Sequence, residues 1–201
     1  MSDLPVKLNV GDIFLLNNTT GGFLSSCIRF FTRSKYTHCA VYVGEVCGEP
    51  SVLSAEELIT IKPVSTYFDN KDYNIEIYTF ESTRKLYSIN KIYNDYGGSV
   101  YGFMQLFWFV WRWILESFGV DTKSMKNWFP DGEICSEMGY DNVWYTLGTD
   151  YTNINKLLGE YNSNTVAPSD VAKIIIAINN LFLSQGQKPP VIKTYERKLA
   201  K

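Results

Sequence analysis

The sequence predicts an α+β fold in which an antiparallel sheet packs against helices. Segments with strand character fill the first 80 residues, and segments with helix character follow from residue 86. This order is typical of α+β domains, whereas doubly wound sheets alternate the two kinds of element along the chain. A single domain suits a chain of 201 residues, of which 45% are hydrophobic.

Strands are predicted where β-branched and aromatic residues recur between turn signals. The strongest of these segments is T-H-C-A-V-Y-V-G, which ends at a glycine. The predicted strands cover residues 7–16, 37–44, one or two stretches within 52–64, and 74–80.

Helices are predicted where apolar residues recur and where glycine or proline marks an end. The polar segment Tyr151–Thr165 is expected to be irregular. The polar, basic tail 185–201 is expected to be loose and to follow a single domain that spans 1–184. The predicted helices cover residues 23–31, 99–118, 133–147 and 171–183.

The charge balance argues against a nucleic-acid partner. The chain has 19 basic and 21 acidic residues and a formal net charge of -2, so no basic excess is present to neutralise phosphates. The N-terminus lacks the basic start and apolar stretch of a secretory signal, which predicts a cytoplasmic or virion-associated protein. Its cysteines are then expected to be reduced thiols. They are Cys27, Cys39, Cys47 and Cys135.

The stretch Phe103–Leu115, F-M-Q-L-F-W-F-V-W-R-W-I-L, is the most membrane-like part of the chain. It is shorter than the roughly 20 residues that span a bilayer, and Gln105 and Arg112 interrupt it. The pattern favours a helix that is largely buried against the sheet. Its apolar surface is wider than one core contact needs, so part of it is expected to form a hydrophobic groove or to contact a membrane surface or a partner.

Any Cys–His or Ser–His mechanism in this chain must use His38, because it is the only histidine. Side chains alternate along a strand, so His38 shares a face with Ala40 and Tyr42. Cys39 points to the other face and is poorly placed to pair with its neighbour. Position alone is also compatible with a histidine that only packs at a strand edge.

Cys135 follows the turn Pro130-Asp131-Gly132 and precedes the helical stretch Ser136–Leu147. The positive end of a helix and its free N–H groups stabilise a thiolate. A histidine partner lowers the pKa of such a thiol further, and the thiolate attacks carbonyl carbon. The alternative is a small buried cysteine of the core. A zinc site that combines His38 with the other cysteines is disfavoured, because no C-x-x-C pair is present.

Four segments occur in a fixed order: G-D-I-F-L (11–15), T-H-C-A-V-Y-V-G (37–44), I-C-S-E-M (134–138) and P-S-D-V-A (168–172). Over about residues 11–180 they resemble the circularly permuted NlpC-type peptidases, in particular the YiiX/YaeF-like papain-like hydrolases. In that family the histidine strand precedes the cysteine helix, the reverse of papain. The resemblance implies a circularly permuted papain-like (NlpC-type) fold, with Cys135 as nucleophile and His38 as base.

The resemblance also implies a third polar residue that orients His38, on the strand after the histidine strand. The family typically carries a glutamate before an alanine there, whereas this chain reads V-L-S-A-E-E over residues 52–57. Ser54 occupies the aligned place, and Glu56 lies two residues on, on the same strand face. Because a carboxylate holds an imidazolium better than a hydroxyl does, Glu56 is the predicted third catalytic residue, and Ser54 is the alternative.

The expected activity is that of a cysteine peptidase or amidase-type hydrolase that needs no metal or organic cofactor. His38 takes the proton of Cys135, the thiolate attacks an amide or ester carbonyl, the amide of Cys135 helps to hold the oxyanion, and water hydrolyses the thioester. The family suggests cell-wall peptides or acyl-lipid groups as substrates. One rival is a lipid acyltransferase, although related acyltransferases carry N-C-E-H-F where this chain has I-C-S-E-M. The other is a non-catalytic binding or virion-structural module of the same fold.

Overall fold

In the computed structural model, the described part of the chain forms a six-stranded antiparallel sheet with helices packed against it, which confirms the α+β prediction. The strands are β1 (Ile13–Asn18), β2 (His38–Val46), β3 (Glu49–Ala55), β4 (Ile59–Pro63), β5 (Tyr73–Phe80) and β6 (Val191–Arg197). Their order across the sheet is β4-β3-β2-β1-β5-β6. The structure describes residues 4–20, 26, 29–30, 34–55, 59–96, 111–112, 114–122, 125, 135–148, 150–163 and 166–199.

Most of the described helices follow the fifth strand. They are α1 (Ser65–Phe68), α2 (Lys85–Tyr96), α3 (Cys135–Val143), α4 (Thr152–Leu158) and α5 (Pro168–Ser184). The chain widens into one π turn, Trp144–Gly148, directly after α3. At the start of α5, the Asp170 carboxylate accepts a hydrogen bond from the Ala167 N–H at 3.0 Å. The P-S-D segment therefore acts as a helix start, as its proline predicts, and the structure adds the Asp170 carboxylate as the acceptor for the Ala167 N–H.

The two faces of the sheet carry separate hydrophobic cores, because side chains alternate along each strand. Leu15 and Cys39 point to the face that α3 and α5 cover. Leu16 and Tyr42 point to the opposite face, where α1 contributes the fully buried Tyr67. Both faces of the central strands are thus covered, and His38, the first residue of β2, lies at the end of the sheet.

Hydrogen bonds hold α3 at both of its ends. Near its C-terminus, the Asn142 side chain donates to the Gly11 carbonyl at 2.8 Å, and the Ser88 hydroxyl donates to the Asn142 side-chain oxygen at 2.8 Å. Near its N-terminus, the Ser136 hydroxyl donates to the Val166 carbonyl, just before α5, at 2.5 Å. The segments I-C-S-E-M, G-D-I-F-L and P-S-D-V-A therefore meet through α3, although they are far apart in the sequence.

A glycine allows α3 to approach β2 closely. A Cβ atom at Gly139 would lie 2.6 Å from the sulfur of Cys39, which is closer than real Cβ contacts, and 3.4 Å from Val171 on α5. Gly139 lies one turn after Cys135 and on the same side of the helix. The contact between Gly139 and Cys39 therefore sets how close the first turn of α3 comes to β2.

The expectation that Tyr151–Thr165 is irregular is wrong for its first half, which forms α4. This helix is mostly polar, but Ile154 and Leu158 are fully buried. They lie four residues apart and so share one side of the helix. Two well-placed apolar side chains were enough to dock a helix whose composition had suggested a loop.

The expectation of a loose C-terminal tail is also wrong, because β6 pairs antiparallel with β5 and forms an edge of the sheet. Val191 is buried opposite Phe80, and Arg197 lies opposite Ile75 at the other end of the pair. The ladder is made of backbone hydrogen bonds, which a polar and basic sequence does not reveal. The domain therefore extends past 184, and residues 191–197 belong to it.

Most of the aromatic stretch at 103–115 lies outside the described residues, as do Trp108 and Trp113. Residues 111–112 and 114–117 are helical, which agrees with the end of the predicted helix. Trp111 is 39% exposed, whereas Arg112 is buried and its guanidinium donates to Asp170 at 3.3 Å. The predicted groove or membrane contact remains a prediction. In the part of the chain that the structure describes, no helix has the length and apolar character needed to cross a bilayer.

We expect Gly139→Ala to lower the free energy of unfolding by about 1–3 kcal/mol, because the new methyl group meets the Cys39 sulfur. Elsewhere in a helix, glycine to alanine usually stabilises, so the sign of the change is diagnostic. Urea unfolding of Gly139→Ala, Cys39→Ala and the double variant measures the coupling between the two sites. If the two residues are in close contact, adding Cys39→Ala should restore most of the unfolding free energy that Gly139→Ala loses. A double variant whose loss equals the sum of the two single losses would contradict the contact.

Candidate functional site

Cys135 is the first residue of α3, and its side chain is buried. Burial raises the pKa of the Cys135 thiol to about 12, although the backbone N–H groups of Cys39, Ser136 and Cys135 itself donate hydrogen bonds to the sulfur and oppose the rise. The amides at the start of α3 lower the pKa of the thiol, as the sequence predicts, but burial raises this pKa by more. The isolated thiol is therefore protonated at neutral pH.

The hydrogen bond from Cys39 locates the Cys135 sulfur at the end of the sheet. The N–H of Tyr42 points to β1, where it donates to the Asp12 carbonyl at 2.8 Å. Because N–H directions alternate along a strand, the N–H of Cys39 points to the other side, toward β3. The pairing of β2 with β3 begins one residue later, at Ala40. The sulfur therefore lies at the margin of the sheet, next to the peptide bond that joins His38 to Cys39.

The His38 ring is held by two hydroxyl groups. Its Nε2 atom lies 2.9 Å from the Ser54 hydroxyl oxygen and 3.3 Å from the Tyr67 hydroxyl oxygen. These two oxygens are 2.6 Å apart, and both residues are fully buried. Ser54 lies on β3 and Tyr67 on α1, so two separate elements fix one nitrogen of the ring. The other ring nitrogen, Nδ1, is not part of this hydroxyl pair.

The three predicted site residues have different outcomes. Cys135 and His38 both lie at the end of the sheet, each at the first residue of its element. Glu56 lies outside the described residues, so its role stays a prediction. Ser54, the aligned alternative, does contact the ring.

Tyr67 was missed because it lies 29 residues from His38 and in no recognisable motif. A buried tyrosine hydroxyl usually has a hydrogen-bond partner, but that rule does not say which one.

Cys39 has a structural role. Its side chain points away from the His38 face, as strand alternation predicts, and packs against Gly139. Burial raises the pKa of the Cys39 thiol well above its usual value, and the nearby Cys135 adds to the rise. The sulfur atoms of Cys39 and Cys135 therefore lie in the same buried part of the protein, where Cys39 packs beneath the first turns of α3.

A buried carboxylate organises the segment that leads into His38. Glu76 on β5 lies beside Leu15 of β1 and is 5% exposed. Burial alone would raise the pKa of Glu76. Hydrogen bonds from Lys193, Lys35, Tyr78 and Tyr36, in that order of effect, outweigh burial and lower this pKa to about 2. The chain is thus fixed two and three residues before His38. No sequence pattern had singled out Glu76.

Comparisons with known proteins support the overall fold but assign no activity to the chain. No family model matches the chain, and no curated protein matches it. The structure is similar to the crystal structure of the metalloprotein yiiX from Escherichia coli O157:H7, with a TM-score of 0.55 and 17% sequence identity. The match covers 94% of this chain and 97% of that chain. The two proteins therefore share an overall architecture.

We expect Glu76 to stabilise the protein at neutral pH and to lose that effect in acid. Its folded-state pKa of about 2 lies below the ordinary value of 4.5, so the stabilisation is complete above 4.5 and disappears as the pH falls toward 2. A shift of this size corresponds to about 3 kcal/mol. The unfolding free energy of Glu76→Gln should therefore approach that of the wild type as the pH falls.

Glu81→Gln is the matched control, because Glu81 forms an exposed ion pair with Lys188, and such pairs contribute little. Denaturant unfolding at several pH values between 2 and 6 measures both differences. A difference between wild type and Glu76→Gln that did not change with pH would show that the Glu76 carboxylate is not preferentially charged in the folded state.

Proposed function

We propose that the chain is a thiol hydrolase in which Cys135 is the nucleophile and His38 is its base. The observation that carries the proposal is the hydrogen bond from the Cys39 N–H to the Cys135 sulfur. It brings the only sulfur at a described helix start next to the peptide bond that follows the only histidine. A cysteine at a helix N-terminus beside a histidine is the arrangement on which thiol hydrolases depend.

The hydroxyl pair supports a defined tautomer for His38. Nε2 lies within hydrogen-bond distance of Ser54, so the tautomer with hydrogen on Nε2 donates to the Ser54 oxygen. Nδ1 then carries the lone pair that accepts the proton of Cys135. Ser54 and Tyr67 thus act as positioning residues that hold the ring and support its positive charge after proton transfer. Glu56 is retained as a further candidate for this role.

The raised pKa of Cys135 shapes the proposed mechanism. The resting thiol is neutral, so the proton moves to His38 Nδ1 as the sulfur attacks the carbonyl carbon of an amide or ester. The N–H of Cys135 contributes one oxyanion donor. Protonated His38 then gives its proton to the leaving group, which departs as an amine or alcohol. Water, deprotonated by His38, hydrolyses the thioester and restores the thiol.

No step of this mechanism is assigned to a metal. The structurally similar yiiX protein is described as a metalloprotein. Within the described residues of this chain, no three His, Cys, Asp or Glu side chains come together in a way that can hold a metal ion.

A non-catalytic binding module is the second candidate. The burial of Cys135, with its thiol pKa raised to about 12, is what an inert core cysteine would also show. An acyltransferase shares the thioester intermediate with the hydrolase and differs only in the acceptor. The acceptor is an amine or a lipid hydroxyl in place of water.

We expect Cys135→Ala to abolish thioester formation and to reduce turnover of p-nitrophenyl acetate at least about 100-fold, the usual scale for losing a nucleophile with its base. Cys39→Ala should keep both, because Cys39 packs against α3 and does not contact the substrate. Intact-mass and peptide-mapping spectrometry locate the acetyl group. Equal losses in the two variants would show that the nucleophile is misassigned. No acetylation of the folded protein would favour the binding module, and acetyl transfer to an added amine would favour the acyltransferase.

We expect Ser54→Ala to change the protonation pattern of the His38 ring. Losing a hydrogen bond of about 1 kcal/mol should lower the ratio of the Nε2–H to the Nδ1–H tautomer about fivefold. Long-range ¹H–¹⁵N NMR spectra report this ratio without assignment problems, because the chain has one histidine.

The control for Ser54→Ala is Ser51→Ala on the same strand, where the buried hydroxyl donates only to the Glu49 carbonyl at 2.8 Å. It should leave the ring spectrum unchanged. Identical spectra for Ser54→Ala and the wild type would remove Ser54 from the site.

A further inference from the structure

The helix α1 is a single turn, so its place in the fold is set by other parts of the chain. It spans Ser65–Phe68, and the residue before it, Val64, has no polar side chain to cap its start. Helices this short are not stable by themselves, because nucleating a turn costs more free energy than its few hydrogen bonds return. α1 nevertheless carries Tyr67, whose hydroxyl lies 3.3 Å from His38 Nε2 and 2.6 Å from the Ser54 hydroxyl. Whatever holds α1 therefore also sets the position of this hydroxyl group.

Arg197, the last residue of β6, holds the C-terminal end of α1. Its guanidinium group donates five hydrogen bonds at 2.6 to 3.1 Å, each to a backbone carbonyl. The acceptors are the carbonyls of Tyr67 and Phe68, the last residues of α1, and those of Asn70 and Tyr73. The last carbonyls of a helix have no partner within it, and a planar fork of N–H groups satisfies several of them at once. One side chain thus fixes the end of α1 and the turn that follows.

The sheet in turn fixes the side chains with which β6 reaches α1. Tyr195 and Arg197 are two residues apart and so point to the same face of the sheet. The ring of Tyr195 packs against that of Phe68, with 5.4 Å between the ring centroids. Backbone pairing places Arg197 opposite Ile75 of β5, which is fully buried on the face where Tyr67 lies. The guanidinium group is therefore anchored to the sheet and connects the sheet to α1.

We propose that Arg197 is a positioning residue for His38 and that it acts through α1. The guanidinium group holds the Tyr67 carbonyl at 2.9 Å, and the side chain of the same residue supports the His38 ring. Without these bonds α1 is free to shift, and the Tyr67 hydroxyl then leaves the ring and the Ser54 hydroxyl. The tautomer with hydrogen on Nε2 thereby loses part of its support. The role in catalysis rests on the proposed function, whereas the effect on the ring does not.

The test compares Arg197→Gln with the wild type by long-range ¹H–¹⁵N NMR spectra of the His38 ring. We expect the ratio of the Nε2–H to the Nδ1–H tautomer to fall about two- to fivefold, the scale of losing one hydrogen bond. Arg197→Lys keeps the charge but lacks the planar fork, so it should lower the ratio as well. The kcat for p-nitrophenyl acetate should fall by up to about the same factor with KM unchanged, because the change acts on the base and not on substrate binding.

Two controls separate positioning from general destabilisation. Val191→Ala removes a buried side chain at the other end of the pair formed by β5 and β6, opposite Phe80. It should lower the free energy of unfolding in urea but leave the ring spectrum of the folded protein unchanged. In Tyr67→Phe protein, Arg197→Gln should cause no further change in the tautomer ratio, because the hydroxyl through which it acts is already missing.

Four results would each overturn the inference. They are a wild-type tautomer ratio in Arg197→Gln or Arg197→Lys, an equal change in Val191→Ala, a further change when Arg197→Gln is added to Tyr67→Phe, and an unchanged kcat of Arg197→Gln in an active enzyme. Failure of Cys135 to form a thioester would overturn the proposed function alone, since the ring spectra need no reaction.

Discussion

The site depends on the close approach of α3 to β2. Gly139 lets the backbone of the helix come within contact of the Cys39 sulfur, and one turn earlier the sulfur of Cys135 receives the Cys39 N–H. Hydrogen bonds of Asn142 and Ser136 hold the two ends of the same helix. A larger residue at Gly139 would lift the first turn away from the strand and with it the sulfur from the vicinity of His38.

Burial has two opposite effects at this site. It raises the pKa of Cys135 to about 12 and so keeps the isolated thiol neutral. The same exclusion of water strengthens the attraction between a thiolate and an imidazolium once the proton has moved. In the proposed mechanism His38, held through Nε2 by Ser54 and Tyr67, then stabilises a charge that burial alone would disfavour. Burial would therefore account both for the low reactivity of the resting thiol and for the stability of the charged pair.

Sequence patterns predicted those parts of the fold that depend on residues adjacent in the chain. The alternating strand with His38 and the turn before Cys135 placed the starts of β2 and α3 to within two residues, because strand period and helix starts are properties of adjacent residues. Tyr67, Glu76 and β6 escaped prediction, because their roles arise from contacts between residues that are 29 to more than 100 positions apart. The polar α4 was mistaken for a loop, since only two of its side chains are buried.

The pH dependence of Cys135 alkylation tests the central claim, that Cys135 and His38 share a proton, most directly. Cys47 is exposed, so the measurement uses Cys47→Ser protein, iodoacetamide and peptide mapping to follow Cys135 alone. Proton transfer to His38 predicts a rate that levels off between about pH 7 and 9, where neutral His38 accepts the thiol proton as the sulfur reacts, and the loss of this plateau in His38→Gln. A rate that rises tenfold per pH unit throughout this range, with or without His38, would contradict the account.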